Sequence, residues 1–167
     1  MTVALPPCRT RKLLLNPGEL LFSHEPVQMH TLLGSCVAIT LWHPRRKLGG
    51  MCHYLLPDRQ SFHRSERHPH GYFGSDVFHF FLEHITKAQL LPSEFEAKIF
   101  GGGNVVMLPE QHKSNLNVAE ANIRFGREQL SEAGFKVKAE DVGGRRYRQV
   151  VFEMECGSVW VKYGHCS

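Results

Sequence analysis

Apolar residues run almost unbroken from Cys36 to Trp42, with Thr40 the one polar interruption, and resume over residues 48–56. Both stretches read as strands buried on at least one face. His43-Pro44-Arg45-Arg46-Lys47 between them carries proline and charge and reads as a turn, so the two strands are expected to form an antiparallel hairpin. Centring that turn between Pro44 and Arg45 sets Leu41 opposite Leu48, Val37 opposite Cys52 and Cys36 opposite His53. Upstream, Leu13–Leu15 and Leu20–Phe22 read as short strands around Asn16-Pro17-Gly18-Glu19, and residues 27–33 lead into the hairpin. Downstream, Ser75 is a candidate N-cap for a helix to about Ala88, with Val77, Phe78, Phe81, Leu82 and Ile85 on its inner face. Residues 97–100 read as a strand running into Gly101-Gly102-Gly103. Asn117 and Glu120 resemble a capping pair opening a second helix, with Val118, Ala121, Asn122, Phe125 and Gln129–Leu130 as its inner stripe and Gly134 closing it. Strands at 135–141, 149–154 and 159–161 complete an α+β pattern: mostly antiparallel sheets packed with two main helices outside, one compact domain over 13–167 behind a flexible lead over 1–12.

The hairpin carries the chemistry. Directly opposite residues in a ladder hold their Cβ atoms roughly 4.5–5.5 Å apart on one face, which makes a thiol and an imidazole neighbours. An adjacent imidazolium lowers a cysteine pKa and turns the thiol into a nucleophile; the same ring can then protonate a leaving amine. Gly34 and Ser35, just before the cysteine, are placed to offer backbone N–H groups to an oxyanion. The plainer reading of the same residues is a buried cysteine acting as a small hydrophobe beside a satisfied histidine. Cys52 points to the other face, because strand side chains alternate.

At 167 residues the chain is one domain, with 42% hydrophobic and 22% charged residues as in ordinary globular proteins. A net charge of +4 is too mild to point to nucleic acid, and basic clusters such as Arg45–Lys47 and Arg145/Arg146/Arg148 read as solvated loops. Five irregularly spaced cysteines (8, 36, 52, 156 and 166) fit neither a disulfide framework nor a zinc knuckle, which predicts reduced thiols and a cytoplasmic location. No apolar run approaches a membrane span, and the N-terminus lacks a signal-peptide h-region. His63, His68 and His70 fall in a polar loop with nothing to orient them on a metal, so no metal site is assigned. The glycine triplet lacks the G-x-x-x-x-G-K-[ST] phosphate-loop pattern and is read as close backbone packing beside the site. Asn122, on an apolar stripe, either satisfies buried backbone groups or braces the sheet.

Leu33-Gly34-Ser35-Cys36-Val37-Ala38, followed by His53 in Gly-Gly-Met-x-His-x-x-Leu-Pro, resembles the chemoreceptor glutamine deamidases of the CheD family. Ala97–Gly103, Asn117–Asn122 and Ala139–Arg145 continue the resemblance in family order, from about residue 16 to 162. The resemblance implies hydrolysis of glutamine side-chain amides on methyl-accepting chemoreceptors, with no cofactor and a CheC-type phosphatase as partner. It also implies a Cys-His-Thr site: Cys36 as nucleophile, His53 as acid/base, and a threonine orienting the histidine. Some members carry that threonine six residues before the cysteine, where this chain has His30; Thr31, five before, is the better candidate for the third member. A regulatory binding module without chemistry, and another thiol hydrolase or transglutaminase, are the competing classes.

Overall fold

The structure is a computed structural model that describes residues 11–59, 68–105 and 116–164, the side chains of Leu116 and Asn117 excepted. Among the described residues, nine strands and two long helices follow one another as β1 (Lys12–Leu14), β2 (Leu20–Ser23), β3 (Gln28–Leu33), β4 (Val37–His43), β5 (Leu48–Cys52), α1 (Gly74–Lys87), β6 (Glu96–Gly101), α2 (Leu116–Ala133), β7 (Lys136–Val142), β8 (Tyr147–Glu153) and β9 (Val159–Gly164). Five strands form one sheet in the order β2-β5-β4-β6-β7, and four form a second in the order β1-β3-β8-β9. Most ladders are antiparallel; β1 with β3 and β6 with β7 are parallel.

The architecture is three layers deep. One core cluster lies between the five-stranded sheet and the helices, joining Val37, Ile39 and Leu41 to Val77, Phe81, Ile85, Ile123 and Leu130. The other lies between the two sheets, joining Ala38, Trp42 and Met51 to Met29, Leu33, Val150 and Phe152. Strand β4 is buried at every position, because odd residues face the helices and even residues face the second sheet. That double burial explains its almost continuous apolar run, broken only by Thr40 before the terminal His43.

The hairpin forms with a different register from the one the turn suggested. Leu41 pairs with Gly50 and His43 with Leu48, closed by a four-residue loop at 44–47. The Lys47 N–H donates to the His43 carbonyl at 2.9 Å, the Arg46 N–H donates to His43 Nδ1 at 3.0 Å, and Lys47 takes a left-handed φ of 49°. The shift is two residues, so every side chain keeps its face. β5 also ends earlier than expected, at Cys52, with Tyr54 returning to pair with Val37 as an isolated bridge.

Both helices differ from expectation in detail. α1 begins at Gly74 with Phe73 at its N-cap position, which places Ser75 inside the first turn and leaves the start without a side-chain cap. α2 begins at Leu116, so Asn117 lies within its first turn; the capping expected of its side chain falls outside the described residues. Its buried face is Ala119, Asn122, Ile123, Gly126 and Leu130, rotated from the stripe through Phe125. Gly126 sets that rotation: a Cβ there would stand 2.6 Å from Tyr54 Oη and 2.7 Å from Ile99 Cδ1, so the helix seats on the sheet at its glycine. At the other end the Gly134 N–H donates to Ser131 and the Phe135 N–H to Leu130, a Schellman closure with Gly134 at φ 86°. Of the expected lead, residues 1–10 lie outside the described residues, while Lys12 opens β1.

Candidate active site

Gly34, Ser35 and Cys36 carry the chain from β3 of one sheet to β4 of the other. Their carbonyls are all held. The Gly34 oxygen accepts from the Gly103 N–H at 2.9 Å, the Cys36 oxygen from the Gly102 N–H at 2.8 Å, and the Ser35 oxygen from Asn122 Nδ2 at 3.2 Å. The glycine run is thus spent clasping this crossing, which leaves no cradle for a phosphate. Gly101 (φ 106°) must lack a side chain, because a Cβ there would meet the Cys36 carbonyl oxygen at 2.3 Å. The N–H groups of Ser35 and Cys36, by contrast, have no backbone acceptor among the described residues.

His53 follows β5 directly and is buried. Its Nδ1 lies 2.7 Å from Thr31 Oγ1, and that hydroxyl also donates to the Leu15 carbonyl at 2.8 Å. A hydroxyl has one proton, and a carbonyl only accepts, so Thr31 spends its proton on Leu15. Toward the ring it must accept. Nδ1 therefore carries the hydrogen, and Nε2, buried and without a hydrogen-bond partner in the described structure, carries the free lone pair. His30 takes no part: alternation along β3 turns it outward, where its Nε2 lies 2.7 Å from Gln28 Oε1.

Cys36 packs against the cluster between the sheets, and His53 reaches Thr31 of the opposing sheet, so both project from the same face of the five-stranded sheet. The Val37–Tyr54 bridge between them makes the two residues diagonal neighbours rather than opposite ones. Such pairs have Cα atoms roughly 7–8 Å apart, within reach of an imidazole. Cys52 belongs to the helix-side core. The electrostatics run against the expected imidazolium. Burial pushes the Cys36 thiol up to about 11, its own backbone N–H pulling the other way, and burial lowers His53 to about 4. The resting pair at neutral pH is a thiol beside a neutral imidazole.

A family model described as CheD chemotactic sensory transduction matches residues 55–163. A protein of Dechloromonas aromatica named "Probable chemoreceptor glutamine deamidase CheD 3" is 38% identical, over 94% of this chain and 90% of its own. The chain belongs to the CheD family. CheD relatives from Pseudomonas syringae pv. tomato (37% identical, 91% of this chain and 89% of that one) and Chromobacterium violaceum (40%, 89% and 75%) carry the same deamidase name. Among solved structures, the hypothetical protein YfiH of Bacillus licheniformis aligns with a TM-score of 0.44 at 16% identity, covering 73% of this chain and 49% of that one. That likeness is too loose to inform the chemistry.

Two further residues of this CheD chain bear on the site. Asn122, fully buried on α2, donates from Nδ2 to the Leu55 carbonyl at 2.8 Å as well as to Ser35. It thus does both things left open for it, satisfying buried backbone groups and bracing the sheet. Arg148 is buried rather than solvated: its guanidinium reaches Asp141 Oδ1 at 3.1 Å and the Gly143 carbonyl at 2.7 Å, beside the Gly101 carbonyl at 3.4 Å. It pins the glycine run that clasps Cys36. The signal for Asn122 was its polarity on an apolar face; for Arg148 it was the Val150/Phe152 alternation that turns position 148 inward.

The histidine-rich loop is divided. His63 lies outside the described residues, and His68 stacks on Tyr72 with ring centroids 4.1 Å apart. Among the described residues no group of three or more His, Cys, Asp or Glu side chains is placed to hold a metal ion. Cys36, Cys52 and Cys156 are free thiols, while Cys8 and Cys166 fall outside the described residues. No described helix is long and apolar enough to cross a membrane.

Proposed function

We propose that this CheD protein is a cytoplasmic protein-glutamine deamidase, converting glutamine side chains on chemoreceptors to glutamate with release of ammonia. The observation that carries the proposal is the committed Thr31 hydroxyl, which leaves His53 Nε2 as a free base on the face shared by Cys36. In this scheme His53 Nε2 takes the thiol proton as Cys36 Sγ bonds to the amide carbon, and the carbonyl π electrons move onto oxygen. The Cys36 and Ser35 N–H groups stabilise that oxyanion. Collapse breaks the C–N bond, with His53 returning its proton to the departing ammonia. A water molecule, deprotonated by the same nitrogen, then attacks the thioester; the C–S bond breaks and the thiol is restored. The sum is amide plus water giving acid plus ammonia, and no cofactor enters it.

Mass spectrometry of a receptor cytoplasmic fragment tests the scheme. Wild type is expected to convert glutamine to glutamate, and Cys36→Ala to leave it unchanged while remaining folded; conversion by Cys36→Ala refutes the mechanism. The raised thiol pKa is the one observation that favours a second reading, a regulatory binding module for a receptor or a CheC-type phosphatase. Equal effects of wild type and Cys36→Ala on such a partner, with no conversion by either, would select it.

A further inference from the structure

We infer that Asn122 is a positioning residue that aims the Cys36 N–H at the oxyanion. The inference deepens the Cys36 acyl-transfer reading above and rests on it. In a trans peptide the C=O and the following N–H point in opposite directions. The Ser35 carbonyl points at Asn122 on α2, which packs on the helix side of the five-stranded sheet. The N–H of the same peptide, that of Cys36, must therefore point away from α2, toward the intersheet side on which the Cys36 side chain and His53 lie. That N–H has no backbone acceptor among the described residues and lies close enough to its own sulfur to favour the thiolate. The second Asn122 bond goes to the Leu55 carbonyl, two residues beyond His53. One side-chain amide thereby sets the spacing between the loop that holds the nucleophile and the segment that holds the base.

The remaining atom of that amide separates this role from plain packing. Asn122 Oδ1 is buried and has no hydrogen-bond partner among the described residues. Rotating the amide would aim this oxygen at two carbonyls, so the observed orientation is the only one its neighbours accept. An unpaired buried acceptor is a cost that a purely structural position avoids with an apolar side chain. Here the residue is needed for its two N–H bonds. Tyr54 holds the same helix turn from below by donating its hydroxyl to the Asn122 backbone carbonyl, independently of the side chain.

Two reactions of the Cys36 sulfur test the inference. Acylation by p-nitrophenyl acetate forms an S–C bond through a tetrahedral oxyanion and expels p-nitrophenolate; alkylation by iodoacetamide displaces iodide and forms no oxyanion. Asn122→Ala is expected to slow acylation about tenfold or more while alkylation stays within about twofold, since a misaimed donor costs only the step that uses it. Asn122→Asp, which keeps the shape and loses the paired donors, is expected to behave alike and serves if the alanine variant does not fold. Tyr54→Phe is expected to lower stability and leave the ratio of the two rates at the wild-type value. Equal loss in both reactions, or loss in neither, overturns the inference. Failure of wild type to deamidate a receptor fragment would count against the proposed function instead, because the rate ratio is measured without that substrate.

Discussion

Thr31→Val is the sharpest probe of the site, because it removes one oxygen and almost no volume. Thr31 is fully buried, and its hydroxyl joins His53 Nδ1 at 2.7 Å to the Leu15 carbonyl at 2.8 Å. Valine fills the same space and leaves both of those partners buried without a hydrogen bond. Each unsatisfied group costs about 1–3 kcal/mol, so a stability loss of roughly 2–4 kcal/mol is expected after partial relaxation. The catalytic loss has a different origin. With nothing to accept from Nδ1–H, the imidazole no longer prefers the tautomer whose Nε2 is free to take the thiol proton. Losing about 1.4–2.7 kcal/mol of that preference lowers kcat about 10–100-fold. KM should hardly move, since Thr31 is too deep to touch substrate. Thr31→Ser restores the hydroxyl and should restore kcat, at a stability cost of about 1 kcal/mol for the lost methyl. Steady-state ammonia release, with unfolding midpoints for all three proteins, reads each quantity separately. A folded Thr31→Val enzyme with wild-type kcat would show that the Thr31–His53 bond is packing alone, and the role assigned to His53 Nε2 would fall with it.

Other outcomes follow from the same geometry. Thiolate absorbance, taken as wild type minus Cys36→Ala, should be absent at neutral pH and rise toward about 11; a thiolate band at pH 7 would show an ion pair instead. His53 is held neutral by burial, so the unfolded chain protonates it near 6.5 and the folded chain only near 4. Its contribution to stability is therefore full above pH 6.5 and falls by roughly 3 kcal/mol as pH drops to about 4. Urea titrations across that window should show the slope, and His53→Gln should flatten it. Gly101→Ala should abolish deamidation, because its Cβ would collide with the Cys36 carbonyl oxygen at 2.3 Å and the left-handed φ adds strain; an active, folded Gly101→Ala protein contradicts the clasp. Arg148→Met should cost about 1–3 kcal/mol of stability in denaturant titrations, because it strips the Gly143 carbonyl of its guanidinium donor and leaves Asp141 only Tyr163 as a donor; an unchanged stability would show that Arg148 does not pin the glycine run.

What was legible in the chain follows from the range of each interaction. The face of a strand residue depends on parity alone, so Cys36 and His53 fall together although the pairing register is shifted by two residues from the one expected. The register was not readable, because it rests on Lys47 in a left-handed conformation that its residue type gives no reason to expect. The parallel pairing of β6 with β7 was equally hidden: it requires α2 to return the chain across the sheet, and short-range patterns carry no record of such a crossover. On α2 the large Phe125 outweighed Gly126 in any reading by hydrophobicity, yet the glycine faces the sheet because it fits beneath Tyr54 and Ile99. Helix contact selected for smallness, which a hydrophobic pattern scores as nothing.

The charge state of the site lies beyond the sequence for a deeper reason. Placing an imidazole near a thiol leads one to expect an ion pair, because charge attracts charge. Whether the pair ionises depends on how much water either group keeps, and that is decided by layers distant in the chain. Thr31 arrives from the second sheet and supplies a neutral partner where a carboxylate would have favoured the imidazolium. Burial then disfavours charge on both groups. Under the proposed mechanism, a site built this way holds its proton on sulfur until the attacked carbonyl can receive electrons. In the proposed mechanism its reactivity therefore depends on oxyanion donors and on the neutral lone pair of His53 more than on a standing thiolate. That ordering predicts slow alkylation of Cys36 at pH 7 in a protein that acylates readily. Rapid alkylation matching that of a free thiolate would show that the buried pair ionises after all, and that water reaches it.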